Sequence, residues 1–488
     1  MDQEKREDLF RTYELMQGHR EGIHEIFDWM RSAGFLDAPA STRFHGSYPG
    51  GLLEHSDHVY LRHFMLRALL PEEMQNQISD DTLFAVGFLH DLCKLEFYEA
   101  AKKPQKNAKT GKWEEVDTYT VNELFPFGHG EKSAMIASRY LKLSNLEALA
   151  IRWHMGGYRD GEQNAVVNVW KKHRDADIPP LVLLTHLADN IATYVDEGES
   201  WPAHCMITPS SGSWDIYHNM LPAVPDGISD EEHFKLLFNH FLSKREGADN
   251  LLKYILGKNS DFATAPASLM NYGAESGGLC NQTIRMFYKL VQVCDMLQFQ
   301  TMRYTAKIPG GQPVSIKLPA TLQAQAVTKV VNIRNGESIE KYELSSDDSG
   351  NLFVNIPEPA EEGKYAIFYT PSQETLMESI ATAALLHGVG CINTYGFETR
   401  NRKNEAGEWE KYLFTISEEE IPWGSIGAKS VFMCQPFMRL LRDEALAIRW
   451  HEGPFDGVSG YACSKAFEIS PLAFCTHIAF LLASYTKI

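Results

Sequence analysis

Alternating apolar and polar positions occur in this chain between about residues 300 and 372. Three short runs carry the pattern and are rich in β-branched and aromatic residues, at 314–318, 326–333 and 364–369. The turn signals Asn335-Gly336 and Ser349-Gly350 lie between them. Period-two alternation between such turns is typical of antiparallel strands, so we predict a small β-rich segment here.

The remaining patterns predict helices. The apolar run Phe84–Leu89 ends in His90-Asp91, and Ser144 is followed after three residues by Glu147, the signature of a capping box. A second apolar run, from Leu181 onwards, follows two prolines, which suit the first turn of a helix. The predicted fold class is therefore mainly α.

The chain repeats itself. Glu147–His154, with the sequence Glu-Ala-Leu-Ala-Ile-Arg-Trp-His, recurs unchanged as Glu444–His451, and Arg20-Glu-Gly22 recurs as Arg245-Glu-Gly247. Eight identical residues in order, with flanking matches in the same sequence, indicate an internal duplication. We predict tandem helical domains over 1–200 and 233–488, joined by a linker over 201–232. The second copy would be interrupted by the β-rich insert at about 300–372.

Charge and composition narrow the possible partners. The chain has 488 residues, 44% of them hydrophobic, and a net charge of −18. Long nucleic acid is therefore an unlikely partner, whereas a small anionic nucleotide or a short oligonucleotide is easier to accommodate, since divalent metals neutralise phosphate locally. The eight cysteines form no CxxC pair, which argues against a zinc ribbon. With no apolar leader and no apolar run of membrane length, we expect a cytoplasmic protein without membrane contact.

Six residues at predicted helix ends, or in loops leading into helices, are of types that bind divalent metals. They are His55, His90, Asp91, His129, His154 and Asp189. In the second copy four of them are replaced: Gln282 stands opposite His55, Gly388 opposite Asp91, Ser425 or Ile426 opposite His129, and Phe480 opposite Asp189. The sequence thus predicts one working metal site, in the first copy, and one scaffold copy.

A structural role is the alternative for each histidine, because a histidine at a helix end is often simply hydrogen-bonded. For His154 this alternative is favoured by the recurrence of Trp153-His154 as Trp450-His451, in a copy that lacks the other ligands. His58, His63 and His186 are expected not to be ligands.

The order His55, His90-Asp91, Asp189 resembles the HD superfamily of metal-dependent phosphohydrolases, and Lys94 resembles the lysine of its His-Asp-x-x-Lys form. The intermediate histidines, His129 and His154, resemble the subgroup that holds two metals. The stretch 48–55 looks like the entry to the HD domain of bacterial 3′-to-5′ exoribonucleases. The resemblance covers about residues 40–200, and 270–488 in degraded form.

The resemblance implies a division of roles. Asp91 would bridge two ions, with His55, His90 and Asp189 on the first ion and His129 with His154 on the second. Asp91 and Lys94 would be the catalytic residues, Lys94 neutralising a phosphoryl oxygen; a solvated surface lysine is the alternative. This donor set suits Mn, Fe, Co or Ni, with Mg and Zn possible.

The expected function is hydrolysis of a phosphoester or phosphoanhydride of a nucleotide or short oligonucleotide, through a metal-activated water. Three alternatives stay open. One is a 3′-to-5′ exonuclease on single strands, although the chain has no obvious N-terminal OB-fold. The others are a non-catalytic nucleotide-binding sensor and an oxygenase, since some two-iron members of the superfamily oxidise their substrates.

Overall fold

The computed structural model describes residues 1–42, 46–106, 112–123, 127–156, 163–198, 215–319, 322–334, 337–349, 351–357, 361–403, 407, 409–417, 423–456 and 460–487. These residues form 17 α-helices and ten strands in small antiparallel sheets. The expectation of a largely helical chain with limited β-structure is confirmed. Among these residues no single helix has the length and apolar character to cross a membrane, although the bent pair Gly460–Ile469 and Pro471–Tyr485 passes that test jointly.

Contacts divide the chain into two compact units, a first unit of Met1–Pro209 with Lys487–Ile488 and a second unit of Ser210–Thr486. Residues 201–214 of the predicted linker lie outside the described part of the chain. Tyr217, also within the predicted linker, is fully buried in the second unit, and its backbone N–H donates to Asp295 Oδ1 at 2.8 Å.

The first unit contains nine helices and one hairpin among its described residues. The helices are α1 Gln3–Met16, α2 Ile23–Ser32, α3 Gly51–Arg67, α4 Glu72–Gln75, α5 Asp80–Phe88, α6 His129–Ala137, α7 Asn145–Arg152, α8 Gln163–Asp175 and α9 Leu181–Ile191. The hairpin pairs β1 Tyr98–Lys106 with β2 Trp113–Val121. The predicted capping box is present, with Ser144 and Glu147 each bonded to the other's backbone N–H at the start of α7.

The second unit has a similar order of elements among its described residues, without a counterpart of α4. Its helices are α10 Asp230–Leu242, α11 Ala248–Ile255, α12 Gly278–Met296, α13 Gln373–Leu386, α14 Ile426–Cys434, α15 Arg442–Arg449, α16 Gly460–Ile469 and α17 Pro471–Tyr485. A hairpin of β9 Tyr395–Lys403 and β10 Trp409–Ile416 follows α13 as β1 and β2 follow α5.

Six further strands lie between α12 and α13, in the segment predicted to be β-rich. They are β3 Met302–Ile308, β4 Val314–Leu318, β5 Ala324–Asn332, β6 Glu343–Ser346, β7 Leu352–Ile356 and β8 Gly363–Pro371. They form two antiparallel sheets of three strands, in the orders β3-β8-β5 and β4-β7-β6. Asn335, Gly336 and Gly350 of the predicted turns lie outside the described residues.

The repeated sequences make the same contacts in both units. Arg20 donates to Glu147 Oε1 at 3.2 Å, and Arg245 donates to Glu444 Oε1 at 2.8 Å. Gly22 follows Arg20 by two residues and has φ +82°, in the left-handed region that favours glycine. A Cβ there would lie 1.9 Å from the Tyr140 carbonyl oxygen. These repeated residues therefore join the first helix pair to the α7 region.

Close packing of α3 against α5 positions the site. Gly87 on α5 makes this approach possible, since a Cβ there would lie 2.8 Å from Tyr60 Cα on α3. On the other side of α5, the buried rings of Phe84 and Phe88 pack against Phe27 of α2. Each such buried side chain contributes about 1.5–3 kcal/mol of hydrophobic stabilisation, so the residues that follow α5 start from a rigid element.

Candidate metal centre

The six predicted ligands converge on one site in the first unit, from five separate elements. Their positions are α3 for His55, the residues after α5 for His90 and Asp91, the start of α6 for His129, the end of α7 for His154, and α9 for Asp189. Of the six, Asp189 and His129 expose 14% and 11% of their side chains, whereas each of the others exposes 3% or less. Solvent therefore reaches the site beside Asp189 and His129.

Asp91 lies between two pairs of imidazoles. Its Oδ2 is 3.3 Å from His90 Nε2 and 3.6 Å from His55 Nε2. Its Oδ1 is 3.1 Å from His129 Nε2 and 3.5 Å from His154 Nε2. The two oxygens of one carboxylate thus face two different sets of nitrogens.

Asp189 completes the first of these sets, because its Oδ1 lies 3.2 Å from His55 Nε2 and 4.0 Å from His90 Nε2. We call His55, His90, Asp189 and Asp91 Oδ2 the first group, and His129, His154 and Asp91 Oδ1 the second group. Ligand atoms of His55, His90 and Asp91 lie close enough together to hold one metal ion.

Backbone carbonyls orient two of the histidines for metal binding. His90 Nδ1 lies 2.7 Å from the Gly87 carbonyl oxygen, and His154 Nδ1 lies 2.8 Å from the Ile151 carbonyl oxygen. A carbonyl only accepts, so each Nδ1 carries the hydrogen and the neutral ring has its lone pair on Nε2. This is the tautomer that binds metals through Nε2.

Two buried polar atoms have the chemistry to contact a cation. Asp91 Oδ1 and His154 Nε2 have no hydrogen-bond partner of acceptable geometry among the described residues. Leaving such a group unsatisfied costs about 1–3 kcal/mol, and more for a charged group. A divalent cation in the second group would satisfy both atoms, so the donor set and the unsatisfied atoms agree with a metal site.

Lys94 is buried and forms an ion pair with Asp91 Oδ2, which rules out the solvated surface lysine. Burial alone would raise the pKa of Asp91, but the charge of Lys94 and the nearby imidazoles outweigh it and hold that pKa well below its usual value. The pKa of Lys94 is raised, because the Asp91 charge outweighs its desolvation. Both groups are therefore charged at neutral pH.

The histidines predicted not to be ligands have other partners. His63 is bonded through Nδ1 to the Val59 carbonyl oxygen at 2.8 Å and through Nε2 to Thr185 Oγ1 at 3.0 Å. His186 Nδ1 donates to the His154 carbonyl oxygen at 2.7 Å. These rings pack and support the site rather than line it.

Two residues at the site, Cys93 and Glu197, were not predicted from the sequence. Cys93 follows Asp91 by two residues, and its ligand atom groups with those of Asp91 and His129; its place beside the His-Asp pair was the available signal. Glu197 Oε1 lies 3.0 Å from Nδ1 of both His55 and His58. No pattern in the sequence indicates the contact of Glu197 with a histidine 142 residues away.

A π-helical turn over Ala192–Asp196 brings Glu197 to α3. Next to Glu197, Asp196 forms a buried two-point ion pair with Arg62 of α3, with 2.8 Å between Arg62 Nε and Asp196 Oδ2. Two carboxylates therefore hold the end of α9 against α3. Asp196 binds the Arg62 guanidinium, and Glu197 binds the His55 imidazole.

Metal binding should release a proton from His55. Burial alone would lower the pKa of His55, but the Glu197 charge and the Asp189 hydrogen bond raise it to about 10. Metal must displace that proton, so the apparent affinity should rise with pH, by up to about tenfold per pH unit per proton, and level off above pH 10. Calorimetry at pH 7.5 in buffers of different ionisation enthalpy measures the proton release.

Glu197→Gln is the control for this pH dependence. Glutamine keeps the hydrogen-bond acceptor but removes the charge, so the pKa of His55 should fall and less proton should be released at pH 7.5. Equal proton release by Glu197→Gln and wild type would show that Glu197 does not set the pKa of His55.

The second unit keeps two of the histidines and has an apolar side chain at the position of one predicted ligand. His387 and His451 donate through Nδ1 to the carbonyl oxygens of Ala384 and Ile448, at 2.7 and 2.8 Å. The ring of Phe480 lies 4.7 Å from the His451 ring and 5.9 Å from the His387 ring, between centroids. An apolar ring therefore stands where the first unit has Asp189.

Comparisons of the chain with protein-family models, with curated proteins and with solved structures find no match. The interpretation of the site therefore rests on its own residues and their geometry.

Proposed function

We propose that this chain is a metal-dependent phosphohydrolase of the HD type, which hydrolyses a phosphoester or phosphoanhydride of a nucleotide or short oligonucleotide. The observation that carries the proposal is the position of Asp91, with one oxygen toward His55 and His90 and the other toward His129 and His154. A carboxylate in this position can bridge two ions.

Two ions so held would supply an activated water and Lewis-acid stabilisation of a phosphoryl oxygen. The chain's own residues do the rest. Asp189 and His129 border the solvent-accessible side, so a substrate phosphate would approach there. The Lys94 ammonium, held at Asp91, would donate to a phosphoryl oxygen and balance the charge gathered in the site.

The substrate class is inferred from charge. A chain of net charge −18 repels a long polyanion. At moderate salt this repulsion acts only over roughly 10 Å, so it grows with the number of phosphates that must lie close to the protein surface. A nucleotide or short oligonucleotide places only a few phosphates near the site, where bound cations and Lys94 offset the repulsion.

We further propose that the two units are tandem HD-type domains and that the second has become a scaffold. The repeated order of elements and the paired contacts of Arg20 with Glu147 and Arg245 with Glu444 support this. Gly388 in place of Asp91 removes the bridging carboxylate, and Phe480 in place of Asp189 fills the space with an apolar ring.

A hydrolysis assay over nucleotides, cyclic dinucleotides and short oligonucleotides, with the products separated by chromatography, tests the proposal. With Mn²⁺, Co²⁺ or Fe²⁺ added, at least one class should be hydrolysed, and excess chelator should abolish the hydrolysis reversibly. Stepwise, salt-sensitive shortening of single strands would instead indicate the exonuclease. Bound metal without turnover of any class would contradict the hydrolase and favour a sensor.

A further inference from the structure

A buried thiol lies at the metal centre without a role in the chemistry above. Cys93 lies in the 3-10 turn Leu92–Glu96, directly after Asp91, and is 1% exposed. One ligand atom from each of Cys93, Asp91 and His129 lies within 4.8 Å of the other two. The sulfur therefore lies close enough to Asp91 and His129 for one cation to contact all three residues.

The turn that carries Cys93 is fixed to the helix that carries His129. The Cys93 backbone N–H donates to Ser133 Oγ on α6 at 3.1 Å, and His129 is the first residue of the same helix. Because this hydrogen bond ties the two elements together, the thiol and the imidazole keep their positions relative to each other.

An independent observation points to a ligand at this place. Asp91 Oδ1 and His154 Nε2 are buried and lie 3.5 Å apart, and neither makes a hydrogen bond of acceptable geometry among the described residues. Both belong to the second group, on the side of Asp91 that faces His129. Three kinds of donor atom therefore lie close together: an Asp91 carboxylate oxygen, a His129 imidazole nitrogen and the Cys93 sulfur.

The second unit lacks the thiol together with the carboxylate. Gly390 stands at the position of Cys93, two residues after Gly388, which stands at the position of Asp91. A Cβ on Gly390 would lie 2.6 Å from the Ile426 carbonyl oxygen, so a cysteine does not fit there. The loss of the side chain at this position accompanies the loss of the bridging carboxylate.

We propose that Cys93 is a ligand of the metal ion in the second group, bound as the thiolate beside Asp91 and His129. On binding, the S–H proton passes to solvent as the metal–sulfur bond forms, without any change of oxidation state. The inference rests on the proposed metal centre and narrows its metal, because a thiolate favours Zn, Co or Fe over Mg.

Cobalt absorption of the full-length protein tests this ligand. Co²⁺ bound by a thiolate gives an intense sulfur-to-metal charge-transfer band in the near ultraviolet. Wild type loaded with Co²⁺ should show that band, and Cys93→Ser should lose it while still binding Co²⁺. The matched control is Cys391→Ser, a buried cysteine in the equivalent 3-10 turn of the second unit, which should keep the band.

The outcomes separate this inference from the proposed function. Bound Co²⁺ without the band in wild type overturns the thiolate ligand and leaves the metal centre intact. Failure of wild type to bind Co²⁺ overturns the metal centre itself. If Cys93→Ser does not fold, ¹¹³Cd NMR of the wild-type protein tests whether Cys93 binds the metal. A resonance in the range of thiolate-bound cadmium supports Cys93 as a ligand. Resonances only in the range of nitrogen and oxygen ligands contradict it.

Discussion

Replacing His90 by alanine should lower the rate of substrate hydrolysis about 1,000-fold, whereas replacing His387 by alanine should leave it unchanged. His90 Nε2 faces Asp91, Asp189 and the His55 ring in the first group, so its loss removes a ligand. A bound ion contributes several kcal/mol to transition-state stabilisation, and about 1.4 kcal/mol corresponds to a tenfold change in rate.

The two histidines form a matched pair. Each follows a buried helix, each is 3% exposed or less, and each donates through Nδ1 to the carbonyl oxygen three residues earlier at 2.7 Å. The structural cost of alanine should therefore be similar in both, about 0.5–3 kcal/mol in the metal-free protein. Equal losses of activity, measured at equal folded protein, would contradict the assignment of catalysis to the first unit.

Replacing Arg62 by methionine should cost about 3–5 kcal/mol of the free energy of unfolding. Arg62 and Asp196 are each 1% exposed and form a two-point ion pair. Methionine keeps much of the volume of the side chain but leaves the Asp196 carboxylate buried without its guanidinium, which is the costly way to break such a pair. Urea denaturation of both proteins measures the loss.

Lys289 provides the control for Arg62. It stands at the equivalent position of α12, is buried, and donates to the amide oxygen of Gln292 at 2.6 Å. Burial lowers the pKa of Lys289 to about 8. Desolvation of the charged ammonium therefore lowers the free energy of unfolding. Lys289→Met should therefore change stability by no more than about 1 kcal/mol, or raise it. A loss as large as that of Arg62→Met would mean that burial of volume, not the ion pair, matters at both positions.

The residues of the candidate metal centre could be predicted where they are tied to a local signal. His90-Asp91 ends an apolar helix, and His154 ends a helix whose capping box at Ser144 is also visible. Comparison of the two copies located the predicted site in the first unit, since Asp91 became Gly388 and Asp189 became Phe480 while His90 stayed as His387. The β-rich character of the segment after α12 was predictable for the same reason, because alternation is a property of neighbouring residues.

The contacts made by Glu197 and Lys94 could not be predicted. Glu197 contacts His55 because the π-helical turn Ala192–Asp196 changes the direction of the chain after α9. No residue pattern in the sequence indicates such a turn. Lys94 was predicted at the site, but its burial against Asp91 follows from the fold and not from its spacing. Both depend on how distant elements pack, which the order of residues along one element does not disclose.

The number of metal ions bound per chain tests the central claim most directly. The protein should be loaded with Co²⁺ or Mn²⁺, freed of excess metal by gel filtration, and analysed for metal and protein together. The account predicts two ions per chain, because the two oxygens of Asp91 serve two groups of ligands. One ion per chain, or none, would contradict the binuclear centre.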